Sequence, residues 1–180
     1  VLKVSLDPVL ELPNESEADY YPGAENPSFL FHGFQWLSNK KNTMEVLKDR
    51  RVILWAENSK FQSVFLPRFL CPQEPPPGLL LEDDPDPIAK VVRFVSLIPH
   101  VEDSRAFRDM PDVWTYSQEM LDLGFGDYEE HALLLCNYFK WIDRNNQAIQ
   151  NMIVIGKGVP EGNAIYVLRR DTHSGDVELW

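Results

Sequence analysis

The chain of 180 residues lacks the motifs on which many common chemistries depend. Its only two cysteines, Cys71 and Cys136, lie far apart and outside any metal-ligand spacing, which is typical of a protein kept in a reducing compartment. There is no Walker loop and no G-x-G-x-x-G, H-E-x-x-H or G-x-S-x-G motif, so nothing indicates phosphate binding, zinc hydrolysis or an activated serine. We therefore expect no cofactor and no metal site.

Basic side chains are also scarce, with 17 against 28 acidic ones and a net charge of −11. This balance argues against nucleic acid or an anionic membrane as the partner, because both would be repelled. No apolar run approaches the roughly eighteen residues of a membrane span, and no basic and apolar leader opens the chain. The start at Val1 rather than at methionine indicates a fragment of a longer protein.

Two acidic stretches contain no Lys or Arg at all. Residues 7–25 hold six acids and three prolines, and residues 72–87 hold five acids and six prolines. Since proline fixes φ and like charges repel, we predict an extended acidic segment over residues 1–27 and a solvated linker over residues 72–87. Acid-rich loops can bind calcium, but the acids at 82–86 do not have EF-hand spacing and are interrupted by prolines.

Residues 28–71 are predicted to form a β-rich extension that packs on the main body. Residues 51–55 are an apolar run suited to a buried strand, and residues 61–66 follow after a turn, which favours a hairpin. A short helix is predicted over residues 43–48, capped by Asn42 or Thr43. The aromatic side chains before it are assigned to the core rather than to a ligand platform: Phe29, Phe31, Phe34 and Trp36.

The second half begins with two predicted helices. The Asp-Pro pair at 86–87 places an N-cap before a proline at the first helical position. Apolar residues then recur at the spacing of one buried helix face until Pro99 ends the helix. A second helix is predicted over residues 112–121, ahead of a glycine-rich turn.

A third helix and three strands complete the predicted order. The helix begins at Asp127, whose D-x-x-E spacing with Glu130 predicts a capping box, and it runs to about Trp141. Strands are predicted over 151–155, 164–169 and 177–180, with glycine-bearing turns between them: Gly156, Gly158, Gly162 and Gly175. Helices followed by an antiparallel sheet indicate an α+β fold.

The third predicted helix carries a cysteine and a histidine that could be read as catalytic. A cysteine nucleophile needs a lowered thiol pKa, which a helix N-terminus supplies, and a nearby base. Cys136 lies on the order of 13 Å beyond Asp127 along the helix axis, among leucines, so we assign it as an inert buried thiol. His131 could act as a base, but a structural hydrogen-bonding role near the helix start is the favoured assignment.

Three segments in the second half resemble a known family. RFVSLIP at 93–99, GDYEEHALLLCNYF at 126–139 and VPEGNAIYV at 159–167 are similar to the transglutaminase-like domain of ciliary scaffold proteins. The resemblance covers roughly residues 67–180, and we assign the domain itself to residues 88–180. It implies a core of helices followed by a three-stranded antiparallel sheet, as in the papain-like cysteine protease superfamily.

The resemblance also implies that the catalytic residues have been lost. Enzymes of this kind carry a G-x-C-x-[DE]-x-A pattern at the head of the core helix. This chain keeps the glycine, acid and alanine at 126, 130 and 132, but it has Tyr128 in place of the cysteine. The position of the catalytic histidine is Ala164, and the third catalytic position would fall beyond Trp180. A phenol, with an ordinary pKa near 10, cannot replace a thiolate at neutral pH.

The function implied by the resemblance is that of a pseudoenzyme in protein assembly. We expect an inactive module of a scaffold protein at the transition zone and basal body of the cilium, in cytoplasm and cytoskeleton, acting in ciliogenesis. Its partners would be other proteins of that complex, with no nucleic acid and no direct membrane binding. A peptide-binding surface is predicted around Tyr128, His131 and Tyr166, unless Tyr128 simply plugs the former site.

Two other functions remain open from the sequence. One is an active cysteine hydrolase or transglutaminase that uses Cys136 or Cys71 as its nucleophile. The other is a calcium-dependent membrane-binding module, suggested by the acidic loops and by the C2 domain that neighbours this module in the family. The oligomeric state is left open.

Overall fold

The structure is a computed structural model, which describes residues 25–81, 83–107, 112–160 and 162–180. Nearly all of the acidic segment predicted over residues 1–27 lies outside the described residues. The described part contains six helices, α1 Pro27–Thr43, α2 Glu45–Lys48, α3 Pro87–Val95, α4 Asp103–Ala106, α5 Ser117–Leu123 and α6 Tyr128–Ile142. Its five strands are β1 Trp55–Glu57, β2 Ser63–Phe65, β3 Ile149–Gly158, β4 Gly162–Asp171 and β5 Val177–Leu179. This mixture of helices and antiparallel sheets confirms the α+β prediction.

Helix α1 shows that the β-rich prediction for residues 28–71 is wrong at its start. Asn26 caps the helix by accepting a hydrogen bond from the Ser28 N–H, and Pro27 occupies the first turn. This is the same cap-then-proline signal that correctly predicted α3. The assignment of its aromatic side chains to the core is also wrong, since all four are 39–60% exposed on this helix: Phe29, Phe31, Phe34 and Trp36. The short helix that follows is confirmed at Glu45–Lys48, with Met44 rather than Asn42 or Thr43 at its N-cap.

The predicted hairpin is present and shorter than expected. Strands β1 and β2 pair antiparallel, with Trp55 opposite Phe65 and Glu57 opposite Ser63. Residues 51–54 lie outside the strand. The central side chain of β2, Val64, is fully buried in a cluster with Phe69, Trp114 and Leu133, so the hairpin packs on the second half of the chain.

The acidic, proline-rich segment over residues 72–86 forms no helix or strand where the structure describes it. It is not solvated throughout, because Pro75 is buried and both Leu79 and Leu80 pack against the main core. The Gln73 N–H donates to the Asn137 carbonyl at 3.1 Å, which fixes the segment against α6. Helix α3 then starts as predicted, with the Asp86 carboxylate accepting from the Ala89 N–H.

The second predicted helix starts five residues later than expected. Residues 113–115 are extended and buried, and each of their N–H groups has an acceptor. Val113 donates to the Asp103 carboxylate, Trp114 to the Glu57 carbonyl and Thr115 to the Glu130 carboxylate. These long-range bonds hold the backbone out of helical geometry, so α5 begins only at Ser117. The short helix α4 was not predicted.

Helix α6 is the centre of the molecule. Its buried side chains, with Leu134, Tyr138 and Phe139 fully inaccessible, pack on one side against α3 and on the other against the sheet β3-β4-β5. The sheet is antiparallel, with Ile153 opposite Val167, and the strand prediction is confirmed with β3 and β4 longer than expected. None of the helices in the described residues combines the length and apolarity needed to cross a bilayer.

Candidate functional site

The head of α6 is fixed by the capping box that the sequence predicts. The Asp127 carboxylate accepts from the Glu129 N–H at 3.0 Å, and the Glu130 carboxylate accepts from the Asp127 N–H at 3.1 Å. Gly126 precedes the box at a point of close approach. A Cβ there would lie 2.7 Å from Cβ of Glu130 and 3.0 Å from Cε of Met120, so no larger residue fits without movement.

The chain at residues 98–101 is bound to this head. The Val101 N–H donates to the Gly126 carbonyl at 2.9 Å, and the Gly126 N–H donates to the Pro99 carbonyl at 3.3 Å. His100 and Gly126 form a parallel bridge. The loop after α3 and the first turn of α6 therefore form one rigid unit.

His131 has the structural role that was favoured from the sequence. Its Nδ1 lies 2.5 Å from the Asp127 carbonyl oxygen, and its Nε2 lies 3.0 Å from the Ile98 carbonyl oxygen. Both ring nitrogens thus face carbonyl oxygens, and the tautomer decides which of them donates. The imidazole ties the loop to the helix, and both of its nitrogens are directed at backbone carbonyl oxygens rather than at a thiol.

Tyr128 is the first residue of α6 and projects into solvent, with 70% of its surface exposed. Its ring lies against that of His100, with centroids 4.4 Å apart and planes inclined by 38°. The tyrosine therefore does not fill a closed cavity. It forms an exposed aromatic surface together with His100, a partner that sequence reasoning missed because the contact joins a loop residue to a helix start 28 positions away.

Ala164 and Tyr166 lie on β4, opposite Gly156 and Val154. The intervening residues Ile165 and Val167 pack into the core against α6. Because successive side chains of a strand point to opposite faces, Ala164 and Tyr166 point away from α6. The structure brings Tyr128 together with His131 and His100 at the helix head, and it places Tyr166 on the outer face of the sheet.

The two cysteines differ in their surroundings. Cys136 is fully buried, and that burial raises the pKa of its thiol to about 11. It lies two turns into α6, beyond the helix end where amides and dipole favour a thiolate. Cys71 is exposed, and its thiol donates to the Arg68 carbonyl at 3.3 Å.

A cluster of three carboxyl groups lies beneath the helix head. Oxygens of Asp103, Asp127 and Glu130 lie within 4.8 Å of one another. Burial raises the pKa of Asp103 to about 6, and the nearby charges of Asp127 and Asp112 add to the effect. Burial, followed by the hydrogen bond to Asp127 and its charge, raises the pKa of Glu130 well above its ordinary value.

This cluster can hold shared protons or, by its spacing, a hard cation. Its oxygens also accept the backbone N–H groups of Val113, Thr115 and Asp127, so its first role is to position the extended segment and the helix head. The capping-box spacing predicted Glu130 and Asp127. No sequence motif linked Asp103 to Asp127 and Glu130. Asp103 and Glu130 are joined only in the folded chain, where they accept the N–H groups of Val113 and Thr115.

The acidic loop considered for calcium is organised around a lysine. The Asp84 carboxylate pairs with Lys90 and accepts from the N–H groups of Leu81 and Asp86. These contacts, led by the hydrogen bond from Lys90, lower the pKa of Asp84. Glu82 lies outside the described residues.

Comparison with known proteins agrees with the resemblance that the sequence motifs indicated. The family model of the CEP76 peptidase-like domain matches residues 112–180 of the chain. The chain is 31% identical to the human protein CC2D2B over 144 residues. The aligned region covers 78% of this chain and 10% of CC2D2B. The chain is 25% identical over 116 residues to coiled-coil and C2 domain-containing protein 2A of Drosophila melanogaster, covering 64% of this chain and 8% of that protein.

The sequence motifs had suggested a resemblance to coiled-coil and C2 domain-containing protein 2A. These two relatives confirm that resemblance. The chain spans about a tenth or less of the length of each relative. The matched peptidase-like region begins at Asp112 and includes the whole of α6 and the sheet β3-β4-β5. No solved structure matches the chain.

Proposed function

We propose that this chain is a catalytically inactive, peptidase-like module of a scaffold protein at the base of the cilium, and that it acts by binding other proteins of the transition zone. One observation carries the proposal: the head of the central helix presents the exposed Tyr128 where a peptidase of this type needs a thiol. The similarity to CC2D2B and to coiled-coil and C2 domain-containing protein 2A supports it. We infer a transglutaminase-like fold from the helix-then-sheet order.

The absence of activity rests on the surroundings of each candidate group. A thiolate is disfavoured at Cys136 by burial, and the only histidine on the same helix, His131, has both nitrogens facing carbonyl oxygens. A phenol is a much weaker nucleophile than a thiolate, so Tyr128 is poorly suited to replace the missing cysteine. An exposed tyrosine whose ring lies against that of a histidine is instead suited to contact with a protein surface.

A thiol-directed activity probe tests the enzymatic part of the proposal. We expect the native chain to react through Cys71 alone, at the rate of an ordinary surface thiol, and we expect His131→Ala to leave that rate unchanged. Labelling of Cys136 that needs the native fold and is lost in His131→Ala would contradict the proposal and support a cysteine hydrolase.

The binding part is tested by localisation in ciliated cells. A fluorescently tagged chain should concentrate at the base of the cilium, and Tyr128→Ala combined with His100→Ala should abolish that signal. Tyr166→Ala is the matched control, since Tyr166 lies on the other face of the sheet. If the double variant folds and still localises, the Tyr128 surface is not the binding site, and if Tyr166→Ala alone delocalises the chain, the outer sheet face is.

A further inference from the structure

Helix α1 carries large apolar side chains that nothing in the described part of the chain covers. None of its seventeen residues is buried. The most exposed aromatic residues are Phe31 at 60%, Phe34 at 58% and Trp36 at 53%. A helix that is apolar on several sides is typical of a buried position, so exposure of this kind indicates a missing partner.

One side of α1 is partly covered by the hairpin. The Phe29 ring lies 5.4 Å from that of Trp55, and a Cβ on Gly33 would lie 2.4 Å from the Trp55 ring, so the helix backbone rests on the indole. Trp36 lies seven residues beyond Phe29, about two turns along the same side. Its only ring or cation contact among the described residues is Lys40, 5.8 Å from the ring centroid. The apolar stripe thus continues past the hairpin without cover.

A second side of α1 is apolar as well. Phe31 and Phe34 are neighbours at i and i+3, and both are largely exposed. The Phe31 ring contacts that of His32 on the same helix, whereas Phe34 lies at the margin of the hairpin, with its ring centroid 6.2 Å from that of Trp55. A flat bilayer contacts one side of a helix, whereas a protein segment can follow two. The distribution of these rings therefore favours a protein partner over a lipid surface.

The charge of this region differs from that of the whole chain. Residues 26–53 carry five basic side chains and two acidic ones, against 17 and 28 for the full chain. Lys40 and Lys41 occupy the last turn of α1, and Lys48 pairs with Glu45 at 3.0 Å. A basic, aromatic surface on an acidic molecule is complementary to an acidic partner that also brings apolar side chains.

We propose that α1 and residues 44–53, here called the α1 surface, bind an acidic amphipathic segment of another protein. That segment packs its apolar side chains on Phe31, Phe34 and Trp36 and directs its carboxylates to Lys40 and Lys41. Burial of the three rings supplies the affinity, and the lysines select for acidic partners. The proposal goes beyond the function assigned to the helix head, since it concerns a different set of residues.

The test uses the full chain of 180 residues and two synthetic helical peptides. Both carry leucines along one face; one has glutamates beside them and the other has lysines in the same places. We expect the glutamate peptide to bind and the lysine peptide to bind at least tenfold more weakly. Added salt should weaken the binding of the glutamate peptide, because it screens the charges. Phe31→Ser with Trp36→Ser, and separately Lys40→Glu with Lys41→Glu, should each reduce binding at least tenfold.

Matched controls come from exposed side chains elsewhere. Leu81→Ser and Lys157→Glu change an exposed apolar residue and an exposed lysine outside the α1 surface, and both should bind as the unaltered chain does. Circular dichroism verifies that each variant folds. Equal binding of both peptides, or equal loss in the controls, would overturn the proposal.

Three further results would overturn it by showing a different occupant. The first is binding to phosphatidylserine vesicles that the α1 variants abolish, since the partner would then be a membrane. The second is self-association in sedimentation that the same variants reverse, which would make the partner a second copy of this chain. The third is peptide binding that emerges only after removal of residues 1–24, because the occupant would then be the chain's own acidic segment.

Discussion

At the scale of single residues, the carboxyl groups beneath α6 determine how the molecule responds to pH. Asp103 and Glu130 are buried next to Asp127, and the described contacts supply backbone N–H donors rather than a Lys or Arg. A raised carboxyl pKa means that the folded state holds the proton more tightly than the unfolded state. The stabilisation is therefore complete below the ordinary pKa and is lost as the pH rises through the folded-state value.

We predict that the chain is more stable at pH 5.5 than at pH 7.5, by on the order of 1–3 kcal/mol. Asp103, with a pKa of about 6, loses its contribution between about pH 4 and pH 6, and Glu130 loses its own at higher pH. Asp127→Asn keeps a good N-cap but removes the neighbouring charge, so the pH dependence should become smaller, while the part caused by burial remains. Urea unfolding at several pH values measures this.

The control for that experiment is Asp122→Asn, which removes one exposed carboxylate that accepts from Gln118 in α5. It changes the net charge of the chain by the same amount as Asp127→Asn. A pH dependence that is equally reduced in both variants, or unchanged in Asp127→Asn, would contradict the contribution of the Asp127 charge.

The two cysteines should differ sharply in reactivity. Burial raises the pKa of the Cys136 thiol to about 11, so little thiolate is present at pH 8, and the sulfur is inaccessible. With a disulfide reagent such as Ellman's reagent, we predict one fast thiol in the native chain and a second only after unfolding. Cys71→Ser should remove the fast phase, whereas two fast thiols in the native chain would contradict the buried assignment.

At the scale of elements, local capping signals were the most reliable part of the sequence. Asp86 with Pro87 and Asp127 with Glu130 correctly placed the starts of two helices, because a cap satisfies orphan N–H groups within a few residues. The start of α5 could not be predicted. Residues 113–115 have helix-compatible neighbours, but their N–H groups bond to partners that are close only in the folded chain.

Gly126 tests whether the head of α6 depends on close packing. Gly126→Ala would place a methyl group 2.7 Å from Cβ of Glu130, so the capping box must shift. We predict a loss of about 1–3 kcal/mol in the free energy of unfolding. Gly156→Ala in β3 is the matched control, since nothing lies within 4 Å of its Cβ position. Equal stability of the two variants in thermal or urea unfolding would contradict a tightly packed helix head.

At the scale of the whole molecule, the sequence indicated the order of the elements from α3 to β5, apart from α4, but not how the two halves of the chain join. Periodicity reports which face of an element is buried and leaves its partner undefined. The hairpin side chain Val64 shares a cluster with Trp114 from the extended segment and with Leu133 from α6. The same limit applies to the helix head, where the ring contact between Tyr128 and His100 joins segments with no common motif.

Asn137 on α6 is one of the polar links between the halves, alongside the bond from the Trp114 N–H to the Glu57 carbonyl. Its amide donates to the Phe69 carbonyl at 2.8 Å and to the Ser117 hydroxyl at 2.7 Å, and it is almost fully buried. Asn137→Leu keeps a similar volume but leaves the buried Phe69 carbonyl without this donor, at a cost of about 1–3 kcal/mol. Since that carbonyl ends the 3₁₀ helix Leu66–Phe69 after β2, we expect the hairpin to detach before α6 unfolds.

Limited trypsin digestion measures that detachment. In Asn137→Leu, cleavage after Arg68 should be several times faster than in the unaltered chain, while the region from α6 to β5 stays intact at the same digestion time. Asn145→Leu, at an exposed turn residue after α6, is the control and should be cleaved at the original rate. If Asn137→Leu is instead cleaved simultaneously throughout the chain, the two halves unfold together and the hairpin gains its stability from the shared apolar cluster rather than from this amide.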